Sequence, residues 1–100
     1  MANMNVTNSI LYSKGGIVSK IIFWGEKNQV TLFSMAAGTD ISEHTSTKEG
    51  YLYVLGGKGI FNLAGKDIPM KPGEIIHITK NMKHSLKAEK NTSYLLFLTE

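Results

Sequence analysis

Apolar and polar positions in this chain alternate in short runs, and no stretch of 11 or more residues holds the three-to-four-residue apolar period of a helix. Ile17 to Trp24 (IVSKIIFW) and Val30 to Ala37 (VTLFSMAA) are rich in β-branched and bulky apolar residues, and Gly25-Glu26-Lys27-Asn28 between them reads as a hairpin connection. Tyr51 to Leu55 and Ile60 to Leu63 form the next pair of predicted strands, broken by Gly56-Gly57-Lys58-Gly59. Ala64-Gly65-Lys66 turns the chain toward Asp67 to Met70, and Lys71-Pro72-Gly73 precedes Glu74 to Thr79. Asn81 marks a further turn, and Ser93 to Thr99 closes with the run Tyr94 to Leu98. Short strands with turn signals roughly every eight to twelve residues predict an all-β sandwich or closed barrel.

Length changes this picture only by confining it to one domain, because one hundred residues supply a single core. Residues 1–15 read as an N-terminal arm or an extra strand. Apolar residues at 42% and charged residues at 19% exclude a disordered or fibrous class. Cysteine is absent, which removes disulfides, thiolate ligands and a catalytic thiol. Met1 to Lys14 lacks the basic start and apolar run of a leader, and no stretch approaches the roughly 20 apolar residues of a membrane span. Cytoplasmic location and no membrane partner are the resulting expectations. The charge of +3 comes from lysine alone. Without arginine the chain has no bidentate group for phosphate or guanine, and aromatic residues do not interleave with the lysines, so no nucleic-acid partner is expected.

The chemistry-bearing residues lie among spaced glycines. His44 follows Gly38 after five residues, Gly57 ends the stretch Tyr53-Val54-Leu55-Gly56-Gly57, and His84 stands eleven positions beyond Gly73. This pattern resembles the cupin family. Its first motif runs glycine, five residues, His-x-His, three or four residues, glutamate, six residues, glycine. Its second runs glycine, five residues, proline-x-glycine, two residues, histidine, three residues, asparagine. The resemblance covers 38–88 and implies a double-stranded β-helix, the jelly-roll barrel, with a ligand site inside it. Within the family it is similar to small single-domain cupins of unassigned function, through the stretch Ser42 to Thr45.

In that family two histidines and the glutamate of motif one, with the histidine of motif two, hold a divalent metal. Two registers place this chain on the pattern. In the first, His44 takes the first histidine position, Ser46 the second and Gly50 the acid position, with Glu49 just before it. In the second, Ser42 and His44 take the histidine positions, Glu49 is the acid and Gly56 the closing glycine. Regular alternation in the first register points Glu49 outward, whereas a β-bulge at Glu49-Gly50 would turn it inward. The inward case gives His44, His84 and Glu49 as ligands, a set that suits Fe, Mn, Ni or Zn. Ser42 and Ser46 share a face with His44 and line the same pocket. With Glu74 toward solvent, alternation turns Ile75 and His77 inward as well, His77 as a hydrogen-bonded core or pocket residue. Motif two departs at Thr79, Asn81 and Ala88, where proline, glycine and asparagine are usual; asparagine tolerates the left-handed conformation of a tight turn.

Leu52, Val54, Leu86, Ile60 or Phe61, and Met70 or Met82 are the expected apolar lumen, with Tyr51 and Tyr53 outside. The resemblance implies a homodimer paired sheet to sheet. Two functions follow from it: a metal-dependent oxygenase or isomerase of a small polar molecule, or a non-catalytic small-ligand-binding or sensing barrel whose metal site has degenerated.

Overall fold

Two antiparallel sheets face each other in the computed structural model, which describes residues 3–100. Nine strands follow in chain order: β1 (Ile17–Trp24), β2 (Asn28–Met35), β3 (Asp40–His44), β4 (Glu49–Gly56), β5 (Gly59–Leu63), β6 (Lys66–Met70), β7 (Ile75–Ile78), β8 (His84–Ala88) and β9 (Thr92–Thr99). The five-stranded sheet runs β1-β2-β9-β4-β7 and the four-stranded sheet runs β3-β8-β5-β6. From β2 onward every connection but the β5–β6 hairpin crosses between the sheets, which is the double-stranded β-helix that the family resemblance implies. No helix among the described residues is long and apolar enough to cross a membrane.

Alternation decides which side chains enter the barrel. In β4, Gly50, Leu52 and Val54 are buried while Tyr51 and Tyr53 are exposed. The rung Thr31, Leu96, Leu52, Ile76 crosses the inner face of the larger sheet. Phe61 and Leu86 meet it from the smaller one. Phe61 and Met70 are the core members, in place of Ile60 and Met82. Burial of this interior at roughly 25 cal/mol per Å² of apolar surface is the main favourable term for the fold.

The outer face of the larger sheet is also apolar. One rung across all five strands reads Phe23, Val30, Phe97, Tyr51, His77, and the next reads Lys20, Leu32, Leu95, Tyr53, Ile75. Only part of it is covered. The described residues before β1 hold a short 3-10 turn (Thr7–Ser9) and no strand. They lie over β2, where the Leu11 N–H donates to Ser34 Oγ, and there Leu32 and Ser34 are buried.

Candidate functional site

His44 and His84 come together because the last residue of β3 pairs with the first residue of β8. A register shift between Ile41 and His44 lets both Ile41 and His44 face inward, although they differ in parity. The two imidazoles meet edge to face with ring centres 4.2 Å apart. Phe61 stacks on His84 from inside, with centres 5.7 Å apart and planes 11° from parallel.

Each ring is held through Nδ1 by a backbone carbonyl two residues earlier: His44 Nδ1 lies 2.8 Å from Ser42 O, and His84 Nδ1 lies 3.0 Å from Met82 O. A carbonyl oxygen only accepts, so both Nδ1 atoms carry the proton and both Nε2 atoms, in the neutral rings, present a lone pair. Burial pushes the His84 pKa below its usual value, helped by the proximity of His44 and opposed by the Met82 carbonyl. The unfolded chain therefore binds a proton at this residue more readily than the folded one. Stability contributed by neutral His84 is complete above about pH 6.5 and declines as pH falls through that value.

Two cavities join at these rings. The outer one, about 450 Å³, is bounded by His44, His84, Gly50 and the loop Thr45 to Lys48. The inner one, about 150 Å³, lies behind the imidazoles among Phe33, Leu52, Phe61, Tyr94 and Leu96. His44, His84, Ile78 and Leu96 line both. The mouth loop is tied down by Asn81, whose N–H donates to Ser46 O at 2.7 Å and whose φ of +68° is the left-handed turn anticipated for it.

The remaining expected site residues part company. Ser46 lines the mouth. Ser42 offers its carbonyl to His44, while the residue lines a separate depression with Glu43 and Ser85. Glu49 lies on the outer face, in phase with Tyr51, and β4 is regular there; the only irregularity of its pairing with β9 falls between Val54 and Gly56. The acid position facing the histidines is Gly50, as the first register has it. Glu49 instead accepts from His77 Nε2 at 2.5 Å and from the Lys80 N–H, and the His77 bond is the main reason its pKa falls below the ordinary carboxylate value. The inward expectation for Ile75 and His77 is corrected likewise: Ile76 and Ile78 fill the core, Ile75 and His77 face out, and His77 stacks on Tyr51 at 4.9 Å.

The donor set is therefore two imidazole nitrogens without a carboxylate. Among the described residues no group of three or more His, Cys, Asp or Glu side chains is arranged to hold a metal ion. Two neutral donors fall short of the three protein ligands of an ordinary catalytic metal centre, so the residues present do not fit one. The lining that residue types did not announce in advance is the hydroxyl-rich loop: neither Thr45 nor Thr47 stood among the expected pocket residues, and the β3–β4 connection brings them to the mouth.

Comparison with known proteins agrees with this architecture. No curated protein matches the chain. A conserved protein of unknown function from Streptococcus pyogenes superposes with a TM-score of 0.91 at 19% identity, covering 100% of this chain and 89% of that one. A cupin superfamily protein from Desulfitobacterium hafniense gives 0.90 at 17% identity, covering 99% and 92%. A cupin 2 conserved barrel domain protein from Leptotrichia buccalis gives 0.92 at 28% identity, covering 97% of this chain but 47% of its own length. Residues 31–99 match the family model described as a cupin domain, and with two thirds of its length inside that match the chain belongs to the cupin family.

Proposed function

We propose that this cupin is a non-catalytic binding barrel that takes a small polar molecule at the two-histidine mouth without a resident metal. The observation that carries this is the pair of fixed tautomers. Both Nδ1 atoms are committed to backbone carbonyls, which leaves Nε2 as the free acceptor on each of two rings that line both cavities with centres 4.2 Å apart. Neutral acceptors recognise hydrogen-bond donors: hydroxyl, amine or amide groups. The oxygenase and isomerase readings both require a metal held by more protein groups than this mouth supplies. Beyond the inner cavity the barrel is filled by buried Val54, Met70 and Ile76, which restricts a ligand to the histidine end.

Metal content after reconstitution with Fe, Mn, Ni or Zn, measured beside imidazole nitrogen NMR, tests the reading. Well below one equivalent of metal is expected, unchanged in His44→Ala, with both histidines in the Nδ1–H tautomer and shifted by small alcohols or amines. One equivalent lost in both His44→Ala and His84→Ala would replace this reading with the metal-dependent one.

The same reading includes a second copy of the chain as partner. The two outer rungs hold aromatic and aliphatic side chains with Lys20 and His77 only at their ends, and Phe23, Tyr53 and Ile75 stay exposed. Depletion of charge across the centre of an apolar face is the composition of an interface core, and a two-fold pairing needs just one such face, repeated. Phe97→Lys places a charge at its middle. Light scattering is expected to give a dimer for the parent and a monomer for the variant; a parent that is monomeric at 100 µM (about) would refute the pairing.

A further inference from the structure

Resting on the two-histidine reading, we infer that the ligand is a single-ring phenol, its ring in the inner chamber and its hydroxyl on the imidazole Nε2 atoms. Three observations converge on this class. The inner chamber has a volume of about 150 Å³ and walls from Phe33, Leu52, Phe61, Tyr94 and Leu96. An apolar cavity of about that volume accommodates benzene, whereas a fused two-ring system would have to fill it more densely than a protein interior packs. Its walls are already organised as aromatic faces: Phe33 and Tyr94 lie parallel with centres 5.1 Å apart, and Phe61 lies parallel to His84.

Of the four residues that line both cavities, His44 and His84 are polar and Ile78 and Leu96 apolar. Both imidazoles bound the chamber as well as the mouth, so a hydroxyl carried on a ring inside reaches an Nε2 acceptor without passing into solvent. Tyr94 does not compete for this position with a charge, since burial raises its phenol far above the ordinary value and keeps it protonated. The second Nε2 and the hydroxyls of Thr45, Ser46 and Thr47 remain for water or for an adjacent hydroxyl of the same ring. A polyol would satisfy the imidazoles but leave the chamber unfilled; benzene would fill the chamber but make no hydrogen bond to them. A phenol satisfies both halves, since it adds a hydrogen bond to the apolar contact of its ring.

The test is a titration of the full chain, followed by NMR of the histidine and chamber methyl resonances, with phenol, anisole, 1-naphthol and glycerol. Phenol is expected to shift the His44 and His84 signals together with Leu52 and Leu86 methyls. Anisole, which lacks the donor, is expected to bind about tenfold or more weaker, and 1-naphthol not to enter. Leu96→Phe narrows the chamber and is expected to abolish phenol binding; His44→Ala, at an exposed ring, is expected to reduce it about tenfold with the fold intact. Equal affinity for phenol and anisole, or undiminished phenol binding in Leu96→Phe, would overturn the assignment. Glycerol binding at the histidines with no effect of phenol would overturn the phenol class while leaving the polar-ligand site standing. Silence from all four probes, with no response at either histidine, would overturn both.

Discussion

Gly50→Glu is expected to turn a chain that retains little divalent metal into one that holds about one equivalent, with affinity raised on the order of 100-fold or more. Gly50 is buried on the inner face of β4 and bounds the same mouth as His44 and His84. A Cβ built there would meet Leu98 Cδ2 at 3.3 Å and Ile78 Cβ at 3.5 Å, so the new side chain fits if Leu98 turns slightly. Its carboxylate would then join two Nε2 lone pairs, completing a two-histidine, one-carboxylate set. Without metal the buried carboxylate would destabilise the variant by about 1–3 kcal/mol. With zinc, manganese or iron the loss would be recovered, because a ligand bound to the folded state alone raises the melting temperature. Metal analysis and thermal melts with and without zinc read both effects. Glu49→Ala is the companion control. It removes a carboxylate that faces away from the histidines, so it should leave metal content as it is in the parent. A Gly50→Glu protein that folds yet gains no metal would mean that the two Nε2 atoms do not converge on a common point.

Gly57→Ala is expected to cost on the order of 3–5 kcal/mol, much of the stability of a domain this size. Gly57 has φ of +103°, where an L side chain is strained. A Cβ at this position would sit against the Asn91 carbonyl oxygen and 2.5 Å from Thr92 Cα. Both are backbone atoms and cannot swing aside. The site is doubly fixed, since Thr92 Oγ1 accepts from the Lys58 N–H and lies 3.0 Å from Lys58 O, holding the β4–β5 turn against the β8–β9 turn. Gly65 supplies the comparison. Its φ is +89°, but a Cβ there meets nothing within 4 Å, so Gly65→Ala should cost only the conformational strain, about 1–2 kcal/mol. Urea titrations measure the difference as a lower midpoint at constant slope. Similar costs at the two glycines would show that the contact with Asn91 and Thr92 relaxes.

Much of this was legible in residue types and their order. Turn glycines and short apolar runs specify an all-β chain, because strand length and turn chemistry are local properties. The alternation in Tyr51 to Val54 marks which face of β4 enters the core, since two tyrosines and two aliphatic residues differ in what burial costs their polar atoms. Asn81 announces its left-handed turn for a local steric reason. The spacing of Gly38, His44, Gly73 and His84 identifies the family and brings the two histidines to one site.

Tertiary structure alone decided the phase of β7 and the partners of the charged residues. One alternation of β7 buries Ile76 and Ile78 and the other Ile75 and His77; the expectation took its phase from Glu74, which lies before the strand and does not set it. Packing against Leu52 selects the one that buries Ile76 and Ile78, and His77 is thereby turned to the outside. Glu49 follows from the same choice. Its position is out of phase with Leu52, no bulge intervenes, and His77 then stands on the neighbouring strand to receive it. The fixed tautomers of His44 and His84 are likewise invisible in sequence, because they depend on where two carbonyl oxygens point once β3 and β8 have paired. Residue identity determined what each strand prefers to bury; only the neighbouring strands determined in which direction a side chain of ambiguous preference would face.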